Sequence, residues 1–65
     1  MTNATIITKD TIHEMLLAEE KSGRNYLGFV RYEEQDGWLY GIWEDKRTGE
    51  EYAVRQIRTM HMGFN

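Results

Sequence analysis

Apolar and polar positions divide this chain into a short stretch of helical period and a longer stretch of period two. Residues 4–8, Ala-Thr-Ile-Ile-Thr, are few and β-branched, which predicts an edge strand. Ile12, Met15, Leu16 and Ala18 recur at helical spacing and predict a helix over residues 11–21. Glu19 intrudes into their arc, and Leu17 lies off it. Asp10 is the expected N-cap, with Thr8 as the alternative, and Glu14 stands where a negative charge complements the macrodipole. Gly23 is placed to end the helix in a left-handed conformation. A helix of about three turns is unstable alone, so its apolar arc must dock on something.

The remainder predicts a meander. Strands are expected over 26–34, 38–45 and 50–59. Asp36-Gly37 is a strong signal for a two-residue type I′ turn, and Lys46-Arg47-Thr48-Gly49 for a longer one. Met60, Met62 and Phe64 alternate in a way that would extend the last strand, against the tendency of termini to fray. The expected architecture is a single α+β domain over 1–65, ordered β-α-β-β-β, with one short helix packed on one face of a small antiparallel meander sheet.

The two turns also predict register. The first sets Gln35 opposite Trp38, Glu33 opposite Tyr40, Arg31 opposite Ile42 and Phe29 opposite Glu44. The second sets Asp45 opposite Glu50, Trp43 opposite Tyr52, Gly41 opposite Val54 and Tyr40 opposite Arg55. Alternation then assigns Tyr26, Gly28, Val30, Tyr32, Leu39, Gly41, Trp43, Tyr52 and Val54 to the face beneath the helix, with Trp43 as its anchor. The opposite face carries Leu27, Phe29, Arg31, Glu33, Trp38, Tyr40, Ile42, Glu44, Glu51, Ala53, Arg55 and Ile57. One short helix cannot cover both faces, so the second is expected to meet solvent or a partner. A slip of one residue in the second turn would reverse the assignment of the last strand.

Composition narrows the classes of function. At 65 residues without cysteine, the chain has neither disulfides nor cysteine-bound zinc to staple it, so a well-packed core or self-association must suffice. Eight Lys+Arg against 11 Asp+Glu give a net charge of −3, which does not favour a wrapped nucleic acid. No apolar run approaches a membrane span of about 18 residues. Met1-Thr2-Asn3-Ala4-Thr5 lacks the basic and apolar regions of a secretory signal, so the expected compartment is cytoplasmic.

Candidate chemistry is sparse. His13-Glu14 opens like a zinc-binding helix motif, but position 17 is Leu, and His61 has no predictable partner. Carboxylates flank both turns: Glu33, Glu34 and Asp36 at one, Glu44, Asp45, Glu50 and Glu51 at the other. Acid/base work needs a concave site that separates their pKa values, and charged turns that protect strand ends are the plainer reading. The expectation is of no catalytic site, no metal and no cofactor.

That leaves the second face. Exposed apolar patches mark interaction sites, and Trp, Tyr and Arg are frequent hot-spot residues. The leading expectation is a non-enzymatic protein-binding module, an inhibitor or adaptor. Phe29, Trp38, Tyr40 and Ile42 would be its apolar anchors, and Arg31 and Arg55 its orienting charges. Homodimerisation through the same face is an equal option. The plainer alternative is a solvated sheet surface with ordinary cross-strand pairs. The rival function is single-strand nucleic-acid binding, with bases stacked on Phe29, Trp38 and Tyr40 beside Arg31 and Arg55. Glu33, Glu44 and Glu51 on that face oppose it. In size and style alone, the chain resembles the compact, cysteine-free proteins with which phages and mobile elements block host machinery.

Overall fold

The structure, a computed structural model, describes residues 4–58. Strand β1 (Thr5–Ile7) leads into helix α1 (Lys9–Lys21), followed by β2 (Leu27–Gln35), β3 (Trp38–Asp45) and β4 (Glu51–Arg58). The fold is α+β, with one helix on one sheet. The four strands lie in the order β1-β4-β3-β2. The last three form the expected antiparallel meander. Strand β1 joins at the edge, parallel to β4, with Ile7 opposite Val54, so the sheet is mixed. The proposed extension through Met60, Met62 and Phe64 lies outside the described residues.

Local chemistry explains the element boundaries. The helix begins two residues before the expected start because Thr8, not Asp10, is its N-cap. The Thr8 hydroxyl accepts from the Thr11 amide at 3.1 Å. At the other end Gly23 adopts φ 71°. Its amide donates to Glu20 O at 3.2 Å, and the Arg24 amide donates to Glu19 O at 2.8 Å. This pair of bonds is the Schellman closure of a helix. Asp36 and Gly37 have φ of 55° and 81°, the left-handed pair that a type I′ turn demands.

Glu19 explains its own intrusion into the apolar arc. Its Oε1 accepts from the amides of Tyr26 at 3.0 Å and Leu27 at 3.1 Å, so the carboxylate fastens the helix to the start of β2. Ala18, expected on the docking arc, remains exposed.

Two bulges correct the expected register. From Gln35 back to Arg31 the β2–β3 pairing is as expected, but then Phe29 faces Trp43 and Leu27 faces Asp45. Val30 is the extra residue, and everything before it changes face. Leu27 and Phe29 therefore lie on the helix side, not on the opposite face. The physical reason lies in the core. Leu27 fills a cluster with Ile12 and Val54, where Gly28 would have left a void. Burying one leucine side chain contributes about 1.5–3 kcal/mol. The second bulge inserts Gln56 between Arg55, opposite Tyr40, and Ile57, opposite Leu39. Ile57 thus pairs with a residue of the helix face, contrary to its expected assignment; its side chain lies outside the described set.

The core has two parts, one on each side of the sheet. Ile7, Met15, Leu16, Trp43 and Tyr52 pack around Ile12, Leu27 and Val54 on the helix side. Trp43 is half-buried, so the anchor of this cluster is Val54 rather than the expected tryptophan. On the other side Tyr40, Ile42 and Ala53 form a second buried cluster with Ala4 and Trp38 packed against it. This centre is buried within the subunit, where sequence alone predicted an exposed face. Ile42 has 0% exposure whereas Ile6 has 60%. Ile42→Val is therefore expected to cost about 0.5–1.5 kcal/mol, as a buried methyl deletion does. Ile6→Val is expected to cost almost nothing, and equal urea midpoints for the two variants would refute a core on the helix-free face.

Candidate interaction surface

The six expected contact residues separate into three groups. Tyr40 and Ile42 are buried and form the floor of the helix-free face. They support a surface but offer little of themselves to a partner. Arg31, Trp38 and Arg55 stand around that floor. Phe29, carried over by the Val30 bulge, is on the other side of the sheet.

The charges of the helix-free face are largely satisfied internally. Arg31 Nε donates to Glu33 Oε2 at 2.6 Å, and its two terminal nitrogens reach Glu51 at 3.2 and 3.3 Å. This bridge joins β2 to β4 across β3. Arg55 lays its guanidinium over the Trp38 ring, 4.2 Å from the centroid, a cation–π contact. The flat face that a base or an aromatic side chain would stack on is thereby occupied.

A different aromatic pair is open. Phe29 and Tyr32 lie with ring centroids 4.9 Å apart, and Phe29 meets the edge of Trp43 at 5.7 Å. Phe29 is 46% exposed and Tyr32 is 62% exposed. Val30, at the bulge between them, is also exposed. Gly41 lies beside this ledge, where a Cβ would meet the Phe29 ring at 3.4 Å and the end of the Gln56 side chain at 3.3 Å. Tyr32 and Val30 escaped the sequence reading because their face was assigned to the helix. The available signal was length. A helix of 13 residues spans about 20 Å at 1.5 Å per residue. A strand of nine residues spans about 30 Å.

At the opposite end of the sheet, Asp45 is buried and bonded to Arg47 three times. It accepts from the Arg47 amide at 2.9 Å, from Nε at 3.2 Å and from Nη2 at 2.8 Å. The Arg47 guanidinium also lies 4.4 Å over the Tyr26 ring. Hydrogen bonds from the Arg47 side chain, and then from its backbone, hold the Asp45 carboxyl below the usual carboxylate range. Burial pushes the Tyr52 phenol up, aided by the nearby Glu50 carboxylate, to which its hydroxyl donates at 3.3 Å. These contacts lock the second turn and read as structural.

Among the described residues, no group of three or more His, Cys, Asp or Glu is arranged to hold a metal ion. None of their helices is long and apolar enough to cross a membrane. No family model matches the chain, and no curated protein or solved structure matches it.

The depressed Asp45 pKa fixes a sign. A carboxylate with a lower pKa in the folded state stabilises the fold fully above its unfolded value, about 3.9. That contribution is lost as pH falls through the lower folded value. Asp45→Asn is expected to weaken the fold at neutral pH and to flatten the acid limb of the stability profile. An acid limb unchanged in slope would show that Asp45 is not a source of it.

Proposed function

We propose that this chain is a non-enzymatic protein-binding module, an inhibitor or adaptor of the kind mobile elements use, that works by occluding a surface of its partner. The observation that carries the reading is the Phe29–Tyr32 ledge. Two large aromatics stand in contact with each other and in solvent, on β2, one of the two edge strands among the described residues. Exposed aromatic area on a small domain supplies contact energy at low entropic cost, and such residues dominate binding hot spots. A partner strand laid along β2 would gain main-chain hydrogen bonds as well.

The binding surface proposed from the structure differs from the one expected from sequence. Phe29 stays in it, and Tyr32 and Val30 join it. Arg31 borders it, on the other face of the same strand. Trp38, Tyr40, Ile42 and Arg55 belong to the opposite side and are left to the core and to the feature described below. Single-strand nucleic-acid binding draws less support, because Arg31 is committed to two carboxylates and Arg55 covers the Trp38 ring.

The test is a pull-down with the tagged full chain from nuclease-treated lysate of the cell that expresses it. Phe29→Ser/Tyr32→Ser is expected to lose a protein that the wild type retains, with urea unfolding showing that the variant still folds. Trp38→Ala is expected to keep that protein. Retention by the double variant would exclude the ledge. Capture of nucleic acid alone, when nuclease is omitted, would exclude the protein-binding reading.

A further inference from the structure

At the end of the sheet where β1 gives way to α1, a cavity of about 340 Å³ is lined by Ile6, Ile7, Thr8, Lys9, Tyr40 and Arg55. We infer that this cavity is a binding site for a phosphate group, free or carried as a small-molecule monoester. The site lies on the helix-free side and is independent of the Phe29–Tyr32 ledge.

Three observations carry it. The first is Tyr40. The residue is only 7% exposed, yet its hydroxyl has no hydrogen-bond partner among the described residues. No buried side-chain oxygen there lacks a partner, so this hydroxyl is the accessible tip of a buried ring. The open space that Tyr40 lines is this cavity. An accessible phenol beside this space can exchange its hydration water for the oxygen of a bound anion.

The second is charge. Arg31 and Arg47 are each bound to carboxylates, whereas the Arg55 guanidinium has no ion pair among the described residues. Its face rests on Trp38, which fixes the group while leaving its N–H edge available. The Lys9 ammonium likewise has no carboxylate partner. Two residues with unpaired cationic side chains therefore line one cavity in a protein of net charge −3. Asp10, one residue further on, is not part of the lining.

The third is the backbone. Thr8 caps the helix through the Thr11 amide, and its carbonyl accepts from Ile12. The amides of Lys9 and Asp10 have no partner within the helix, as first-turn amides never do. Lys9 lines the cavity, so the positive end of the helix dipole lies beside it. A guanidinium, an ammonium, a phenol and a helix N-terminus offer more donors than the two oxygens of a carboxylate can use. A phosphate, with three or four oxygens, matches them better.

The test uses the ¹⁵N-labelled full chain, titrated at fixed ionic strength with inorganic phosphate, phenyl phosphate, acetate and chloride. Saturable shifts are expected at the Thr8, Lys9 and Asp10 amides and at Arg55 Nε, with either phosphate compound. The compound that saturates identifies the source of the group. Arg55→Gln and Lys9→Gln, both at exposed positions, are each expected to weaken binding about tenfold, the loss of one charge-assisted hydrogen bond. Tyr40→Phe is expected to weaken it while leaving the fold intact. Lys21→Gln, at the far end of the helix, is expected to change nothing. Shifts linear in concentration, shifts reproduced by chloride or acetate, or a dissociation constant unmoved by Arg55→Gln would overturn the site.

Discussion

The structure depends on a shortage of covering layers. Four strands present two faces, and one helix of 13 residues can dock on only part of one of them. The chain answers by building its core through the sheet. Ala53 and Val54 are neighbours on β4 and point to opposite sides, yet their exposures are 0% and 1%. In a sheet with one wet face, one of the two would be open. Val54 is covered by the helix cluster, and Ala53 lies beside Ile42 and Tyr40 in the other. On the same face the Arg31 bridge to Glu33 and Glu51 ties β2 to β4 across β3. The face that would have been surface in a larger protein becomes half of the core.

The bulge at Val30 joins this core to the proposed surface. A single extra residue moves Leu27 into the helix cluster and, with it, Phe29 onto the ledge beside Tyr32. The two outcomes share one cause. Leu27 cannot reach Ile12 and Val54 without Phe29 also turning to that side, two residues further along and beyond the helix. Exposed aromatic surface is thus linked to the packing that stabilises the domain. A strand that kept strict alternation would have put Phe29 on the helix-free side and Gly28 where Leu27 now packs.

Much of the fold was legible in the sequence, and the failures are local. Asp36-Gly37, Gly49 and Gly23 announced their turns because positive φ leaves few residue types to choose from. The turns then fixed the register near them: Gln35 with Trp38, and Trp43 with Tyr52. Register decayed with distance from the turns because a bulge changes phase without a signal of its own. In Leu27-Gly28-Phe29-Val30 both phases place apolar residues on both sides. Only the tertiary need for a side chain under Ile12 decides between them. The parallel pairing of β1 was equally hidden, since three residues carry no mark of strand direction. Of the six expected contact residues, sequence placed Arg31, Trp38, Tyr40, Ile42 and Arg55 on one face correctly. It misjudged which of them would be buried, because burial on a face without a helix depends on how long side chains fold over it.

The distribution of charge follows the same strand geometry. Residues two apart share a face, so Arg31 finds Glu33, and Arg47 finds Asp45 across the same interval where β3 enters its turn. Arg55 has Ala53 two residues before it and Tyr40 across the strand, neither of which carries a carboxylate. The sequence thus leaves this arginine without an ion pair, and the β1–α1 junction brings Lys9 and a helix N-terminus to the same cavity. An acidic protein repels anions at long range, but within a Debye length, about 8–10 Å, local charges set the sign of the potential. Lys9, Arg55 and the helix N-terminus bring positive charge to this cavity, opposite in sign to the net charge of the protein. An anion held there would stabilise the folded chain by mass action, so occupancy of the proposed site and stability of the fold would be coupled.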